Sequence, residues 1–507
     1  MKKLSTLVLG LGLLVLSSCE KDLDQVPISS GSVPTFYQTA DDYNQSLTSV
    51  YSALRFSTAG GYPDRLYNLS ETRSDNLYAV ADIAGIRDWE PINNFATTLA
   101  SNSYINEAWT TNFASIFRAN TFLDKLGTNN GVVDANLAKQ YEGEAKFLRA
   151  FFYFDLVRYF GKVPVIDKPL GAAEAATVGR SPVADVYKLI IADLQTAIAN
   201  LPVSYTGGSA NVFRATQGAA KTLLALVYLT RSGPTYGIEG PGLATNEYAQ
   251  AATLLNQVIA SNKYQFLPNY ANIFSYTNEN NAEVIFDVQY ISGGLNLGAT
   301  YPGQLVSDDL FTTLKIPYSS GSPDARFASN NLVSSYPAGD LRKASSFILD
   351  YTNITGFHET RPTITKYLNP SLKGVSRFDW PINFIVFRYT DVLMMRAECI
   401  LHGAGGTQAD VDAIMNQVRA RAGLTGTVSG TTLPQLMEER RREFVGEGLR
   451  WHDLVREGMA ITTINAWEAI DDVKHRMSPA QANYIIYPVP QTELTTVPGL
   501  YSQNPGY

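Results

Sequence analysis

Residues 144–164 read EAKFLRAFFYFDLVRYFGKVP, and this stretch sets the fold class. Ala145, Leu148, Phe152, Leu156 and Tyr159 recur at steps of three and four, which lays them along one face of a helix. Gly161 and Pro164 close it, and the pattern runs back to about Ala135, so a helix is expected over roughly 135–160. A run this rich in aromatic residues belongs inside a protein body, against other helices.

Outward from that helix the period repeats. Upstream, Trp109, Phe113, Ile116, Asn120 and Leu123 mark a second helix. Tyr43, Leu47, Val50, Tyr51 and Leu54 mark a third, with Thr39 as N-cap and Asp42 three residues on. Downstream, Ser181-Pro182 opens a helix through Leu189, Leu194 and Ile198 that Pro202 stops. Thr216 opens another, with Leu223 and Val227, ended by Gly233-Pro234, and Tyr248, Ala252, Leu255 and Ile259 mark one more. Small residues such as Ala219, Ala220, Ala225, Ala251 and Ala252 let neighbouring helices approach closely. Helical hairpins similar to tetratricopeptide pairs are the expectation, at an approximate 34-residue spacing.

Two regions break the pattern. Residues 59–103 are loop-rich and aromatic, and loops of that length in a compact domain are usually functional or disordered. From about Pro268 to Asn383 the helical period is mostly lost. There Val284, Phe286, Val288 and Tyr290 alternate on one face of a strand within Glu283 to Ser292, and Ile364 to Leu368 reads as another. Helices resume over Phe387 to Leu401, Val411 to Arg421 and Leu433 to Val455. The charged run Glu438 to Glu443 sits on the last of these, where acids and arginines three and four apart are ordinary helix support. Pro488, Pro490, Pro498 and Pro505 exclude a helical tail, which is expected to wrap the surface.

The chain has 507 residues, more than the roughly 250–300 that one core usually serves. Two lobes, or one core with a large insertion, follow. The net charge of −7 argues against a nucleic-acid partner, which calls for a basic surface. Four scattered histidines and two cysteines, Cys19 and Cys399, form no ligand pattern, so neither metal nor cofactor is expected. Cys399 reads as core packing.

At the start, Lys2 and Lys3 precede an apolar run from Leu7 to Leu16, too short to span a bilayer and typical of a signal peptide. Leu16-Ser17-Ser18-Cys19 resembles the lipobox of bacterial lipoproteins, in which the cysteine becomes the acylated first residue. The organisation expected is a signal peptide over 1–18, a lipid-anchored tether over 19–34 and a body over 35–507. The body divides into a helical part (35–265, carrying the aromatic loop 59–103), a loop- and strand-rich insertion (266–385), a second helical part (386–468) and an extended tail (469–507). A flexible tether of this length reaches on the order of 20 Å.

The opening stretch also resembles a signature of the SusD/RagB family of outer-membrane lipoproteins, nutrient-binding partners of TonB-dependent transporters. Further similar stretches are Trp109 to Leu123, Arg388 to Glu398, Val418 to Gly423, Glu439 to Arg456, and Tyr487-Pro-Val-Pro490 through to Tyr507. The resemblance implies a mainly α, SusD-like fold with four tetratricopeptide-like hairpins, lipid-anchored through Cys19 in the outer membrane and facing the cell exterior. It further implies a role as hinged lid on a TonB-dependent, SusC-like barrel transporter, capturing oligosaccharide or, in some members, peptide. Asp155 with Arg158, and Glu443 or Glu447 with Arg450, read as helix-packing ion pairs.

The family's ligand contacts lie on variable loops, so candidates come from chemistry. Sugars present flat C–H faces and rings of hydroxyls, which suit aromatic platforms beside amides, carboxylates or guanidiniums. The first loop offers Asp75, Asn76 and Trp89; the insertion offers Tyr290, Tyr301, Tyr318 and Trp380. Trp109 and Trp451 belong to the core. A surface glycan hydrolase needs two carboxylates about 5–10 Å apart, and no motif singles out a pair. A helical-repeat scaffold that binds only proteins accounts for the hairpins but not for the aromatic insertion.

Overall fold

The computed structural model describes residues 36–55, 61–79, 87–206, 208–318 and 325–507. The signal peptide, Cys19 and the tether lie outside the described residues. The body is mainly α-helical. Its first six long helices are α1 (Ala40–Ser52), α2 (Ser103–Gly127), α3 (Ala135–Phe160), α4 (Val183–Asn200), α5 (Gln217–Ser232) and α6 (Tyr248–Ala260). Thr39 and Asp42 cap α1 reciprocally, as expected, while Asn102, Asp134 and Thr216 cap α2, α3 and α5. From α2 to α6 each helix packs on the next in the chain, an arrangement compatible with stacked hairpins.

Helix α3 is central to a greater degree than its one-face pattern suggests. From Gly143 to Phe160 every residue except Lys146 is buried, because neighbours surround it on all sides. Its polar residues are matched by partners from elsewhere in the chain. Glu144 meets Arg214 at 2.7 Å and the Tyr51 hydroxyl at 2.8 Å, Arg149 meets Asp193 at 2.7 Å, and Asp155 meets Arg65 at 2.8 Å and Arg158 at 3.4 Å. The ion pair expected between Asp155 and Arg158 is present, and Arg65 is the nearer partner.

The strand expected around Val284 is β1 (Val284–Val288), paired antiparallel with β2 (Phe384–Arg388). Phe286 on β1 packs its ring edge-on to Phe147 of α3 at 5.1 Å. Strand β2 was not anticipated: its continuous apolar run, Phe384 to Phe387, is buried on both faces and looks the same as the start of a helix. The helix expected from Phe387 therefore begins later, as α7 (Tyr389–Leu401), which packs on α6 and on α8 (Gln408–Arg421). Of the second expected strand, Ile364 to Leu368, only Ile364 is in a strand, the pair Thr363–Ile364 opposite Phe347–Ile348.

The helix expected over Leu433 to Val455 is two, α9 (Leu433–Glu443) and α10 (Arg450–Arg456). Between them Gly446 and Gly448 take φ of +72° and +73°, a conformation that ends a right-handed helix. Helix α11 (Ala460–Asp471) follows. The proline-rich tail departs from expectation: Tyr484 to Pro490 is buried, and Gln491–Thr496 forms a short helix after Pro490. Proline is compatible with a helix at its very start.

Most of the apolar interior is one cluster running from Tyr43 to Val489, and it takes in Tyr301, Phe311, Trp380 and Phe384 from the 266–385 region. Those loops are therefore sewn onto the main core. The segment after Gly61 is likewise interior: Tyr62–Arg65 is helical, continues as a wider helical turn over Leu66–Glu71, and is buried throughout. No described helix is long and apolar enough to cross a membrane.

Candidate ligand-binding face

Five of the seven candidate residues turn out to serve the interior. Asp75 is 1% exposed, and Arg450 grips both its oxygens at 2.9 Å while Arg441 adds a contact at 3.1 Å. Burial alone would raise its pKa, but the two guanidiniums hold it at about 2. Asn76 donates to Glu71 at 2.9 Å and accepts from Arg441 at 2.9 Å. Tyr301 donates to the carbonyls of Asn383 and Ile382 at 2.9 and 3.2 Å. Trp380 is 0% exposed, and its indole N–H donates to the Arg377 carbonyl at 2.7 Å. Tyr290 is buried with its ring 6.1 Å from that of Tyr301. Of these five only Asp75 borders a cleft, and both its oxygens are already held by Arg450. Trp89 and Tyr318 are half-buried and remain available.

The fold does bring the two loop regions together. Asp379 is the tie within the insertion: one carboxylate oxygen accepts from the backbone N–H of Gly293, Gly294 and Val375 at 3.0, 3.1 and 3.0 Å. Burial raises its pKa, and the three donors more than reverse that, leaving it lowered. This knot ties the loop that carries Ile291 and Leu295 to the one that carries Val375 and Phe378, and all four of these side chains are exposed. Tyr318 lies at the edge, donating to the Gly374 carbonyl, with its ring 6.4 Å from Trp380 and nearly perpendicular to it. Ala299 exchanges backbone hydrogen bonds with Trp380 at 2.8 and 3.1 Å.

The same segment then reaches the first region. Thr300 and Gln304 both donate to one oxygen of Asp64. The other oxygen of Asp64 is buried and has no hydrogen-bond partner among the described residues, and the same holds for one oxygen of Glu107. Burial pushes Asp64 up to about 7, with Glu107 adding to the rise; Glu107 is itself raised by burial and by Asp88. Asp88 accepts from Ser103, next to half-buried Tyr104 and Trp89. Opposite them, buried Arg326 donates to Asn68 at 2.8 Å and to the Gln304 side chain at 3.2 Å. Strand residues Leu77 and Tyr78 pair with Ala328 and Phe327, closing the junction.

The result is a face with an apolar, partly aromatic rim and half-buried Glu107, while Asp64 stays in the interior. Such a combination can pack against C–H faces while accepting hydrogen bonds from hydroxyls. Sequence reasoning missed Asp64 and Glu107 because single acids in helices carry no pattern; the contact between residues 64 and 300–304 reveals the place of Asp64. Elsewhere, a cleft of about 490 Å³ opens between α1, α3 and the 202–214 loop, beside Tyr141, Tyr205 and Arg214. Another of about 640 Å³ lies between α9 and α11, over Glu438 and Trp467. Among the described residues no group of three or more His, Cys, Asp or Glu side chains is arranged to hold a metal ion.

Two family models match this chain: one described as the SusD family, over residues 350–507, and one described as starch-binding and associating with the outer membrane, over residues 29–229. The SusD-like protein P25 of Formosa agariphila is 24% identical, with 97% of each chain covered. The starch-binding protein SusD of Bacteroides thetaiotaomicron is 25% identical, over 77% of this chain and 76% of that one. Among solved structures, a laminarin-binding SusD-like protein aligns with a TM-score of 0.74 at 26% identity, covering 93% of this chain and all of the other.

Proposed function

Because the chain belongs to the SusD family, matched by family models in both its N-terminal and C-terminal parts, we propose that it is a non-catalytic receptor of the outer cell surface. It captures an oligosaccharide on the face described above and passes it to a TonB-dependent, SusC-like barrel, over which it sits as a hinged lid. The relatives named for starch and laminarin support a glycan as ligand. The observation that carries the reading is the junction of the two loop regions, which carry half-buried Trp89, Tyr104, Glu107 and Tyr318 and the exposed apolar residues Ile291, Leu295, Val375 and Phe378. A neutral, hydroxyl-rich ligand can donate to half-buried Glu107 without bringing a charge of its own.

Titration of the purified protein with a panel of glucans and other oligosaccharides tests this. Saturable binding is expected, and Glu107→Ala should weaken it by about tenfold, the scale of one hydrogen bond to a charged group. Release of shortened products from a bound glycan would overturn the non-catalytic reading; affinity unchanged in Glu107→Ala would move the site elsewhere. The lipid anchor is tested separately. Cys19→Ala should give a folded protein that no longer fractionates with membranes when the barrel is absent, and persistent membrane association of that variant would rule out the acylated cysteine.

A further inference from the structure

A further pocket, none of whose lining residues belongs to the loop face, lies where the C-terminal end of α1 meets β1. It encloses about 240 Å³ and is walled by Tyr51, Leu54, Phe213 and Val288, with Arg55 half-buried at its side and Asp287 beneath. Asp287 is 3% exposed. One of its oxygens accepts from the Gln289 amide at 2.6 Å, while the other has no hydrogen-bond partner among the described residues. No ion pair among those residues involves Asp287 or Arg55. Burial pushes the Asp287 carboxyl up to about 7; Gln289 pulls it down, Glu279 adds to the rise, and the Asn383 side chain and its own backbone amide pull it down a little.

An acid buried without a counter-charge is a costly arrangement in a folded protein, and a cation with N–H donors relieves it. The volume falls below the roughly 300–1,000 Å³ of pockets for drug-sized ligands, so the occupant is about one residue in size. The walls are apolar, which suits an aliphatic or aromatic side chain and disfavours a sugar ring with hydroxyls on every edge. Arg55 adds a positive group that a carboxylate could meet. We propose that this pocket binds an α-ammonium group carrying an apolar side chain, from a free hydrophobic amino acid or from the first residue of a peptide. Asp287 receives the ammonium, and Tyr51, Leu54, Phe213 and Val288 enclose the side chain. The proposal does not depend on the glycan reading.

Calorimetric titration of the full-length protein in detergent with L-leucine, L-leucinamide and N-acetyl-L-leucine tests it. Leucine and leucinamide should bind saturably at millimolar concentration or below, and N-acetyl-leucine should not, because its nitrogen is an uncharged amide. Equal affinity for the first two assigns the site to a peptide terminus, and tighter binding of leucine assigns it to a free amino acid whose carboxylate meets Arg55. Asp287→Asn should weaken both by about tenfold or more. Thr48→Trp, on the exposed rim of the pocket, should block the mouth with the core untouched, so it decides the matter if Asp287→Asn unfolds. Absence of saturable heat from both amines overturns the proposal, as does equal binding of N-acetyl-leucine, or full affinity in a folded variant of either kind.

Discussion

Glu443 shows how much of this protein is held by charges that meet far from their sequence neighbours. One of its oxygens lies 2.8 Å from Arg388 and 2.6 Å from Arg421, and the other lies 3.0 Å from Arg342, all in the interior. Arg388 continues the network to Glu447, which also holds Lys366 at 2.6 Å. The expected pairing of Glu443 or Glu447 with Arg450 is replaced: Arg450 belongs to Asp75. Within the charged run from Glu438 to Glu443, spacing along one helix reveals only neighbours three and four apart, whereas the strong partners of Arg440 and Glu443 sit on other elements. Burial raises the pKa of Glu443, and Arg421, Arg388 and Arg342 together bring it to about 2, below its usual 4.5. A carboxylate lowered on folding contributes stability that is complete above its unfolded pKa and lost as pH falls through the folded one. Glu443→Gln should therefore cost about 3–5 kcal/mol near neutrality, the scale for breaking a buried ion pair. The gap between the variant and the parent in urea unfolding should narrow as pH falls from about 4.5 towards 2; a gap that stays constant across that range would contradict the assignment.

At the scale of elements, the turn between α9 and α10 joins the C-terminal helices to the buried segment that begins at Gly61. Glu71 accepts from the backbone N–H of Gly446 and Gly448, each at 3.1 Å. In return the carbonyls of these glycines receive the Tyr67 hydroxyl at 2.7 Å and the Ser70 hydroxyl at 2.6 Å. A Cβ on Gly448 would lie 2.6 Å from the Cβ of Leu66, whereas one on Gly446 would meet Ile364 at 3.2 Å. Both positions are left-handed, which costs about 1–2 kcal/mol for alanine, and only Gly448 adds a collision with a buried side chain, worth a further ~1–3 kcal/mol. Gly448→Ala should thus lower stability by about 2–5 kcal/mol and Gly446→Ala by less, as read from denaturant midpoints. Equal losses would mean that the close approach to Leu66 is not limiting. The helices themselves were legible because a period of three and four survives in Leu436, Leu454 and their neighbours. The break rests on Gly446 and Gly448, which are visible in the sequence, but the acid that fastens it, Glu71, is almost four hundred residues away in the chain.

For the whole molecule, the same limit explains which parts of the candidate face could be read in advance. Helix α3 and its neighbours announce themselves through periodicity, whereas the meeting of residues 64 and 300–304 has no signal in the sequence. Aromatic residues among glycines and prolines, however, look alike in a sequence whether they line a surface or fill a core, and Tyr301 and Trp380 fill the core. The tail misled for a related reason: its prolines forbid a long helix but not burial. Tyr487 donates its backbone N–H to Tyr159 at 2.6 Å and its hydroxyl to Leu69 at 2.7 Å, and Asn504 donates to the carbonyls of Phe160 and Tyr487 at 3.0 and 2.7 Å. Arg73 reaches the Tyr484 carbonyl at 3.0 Å. The tail thus closes over the end of α3 and the segment after Gly61 at once. Ile485, Ile486, Tyr487 and Val489 are all buried, and at about 1.5–3 kcal/mol each they contribute on the order of 6–12 kcal/mol. That is comparable to the entire net stability of a typical domain, about 5–15 kcal/mol. Removing residues 481–507 should therefore leave a chain that fails to fold, seen as loss of the near-ultraviolet circular dichroism signal and of a cooperative melting transition. Tyr487→Ala should fold but lose about 3–5 kcal/mol, as for other large aromatic truncations in a core. If the truncated chain melted cooperatively within a few degrees of the parent, the tail would be a surface wrap after all, and α3 would have to be held by its helical neighbours alone.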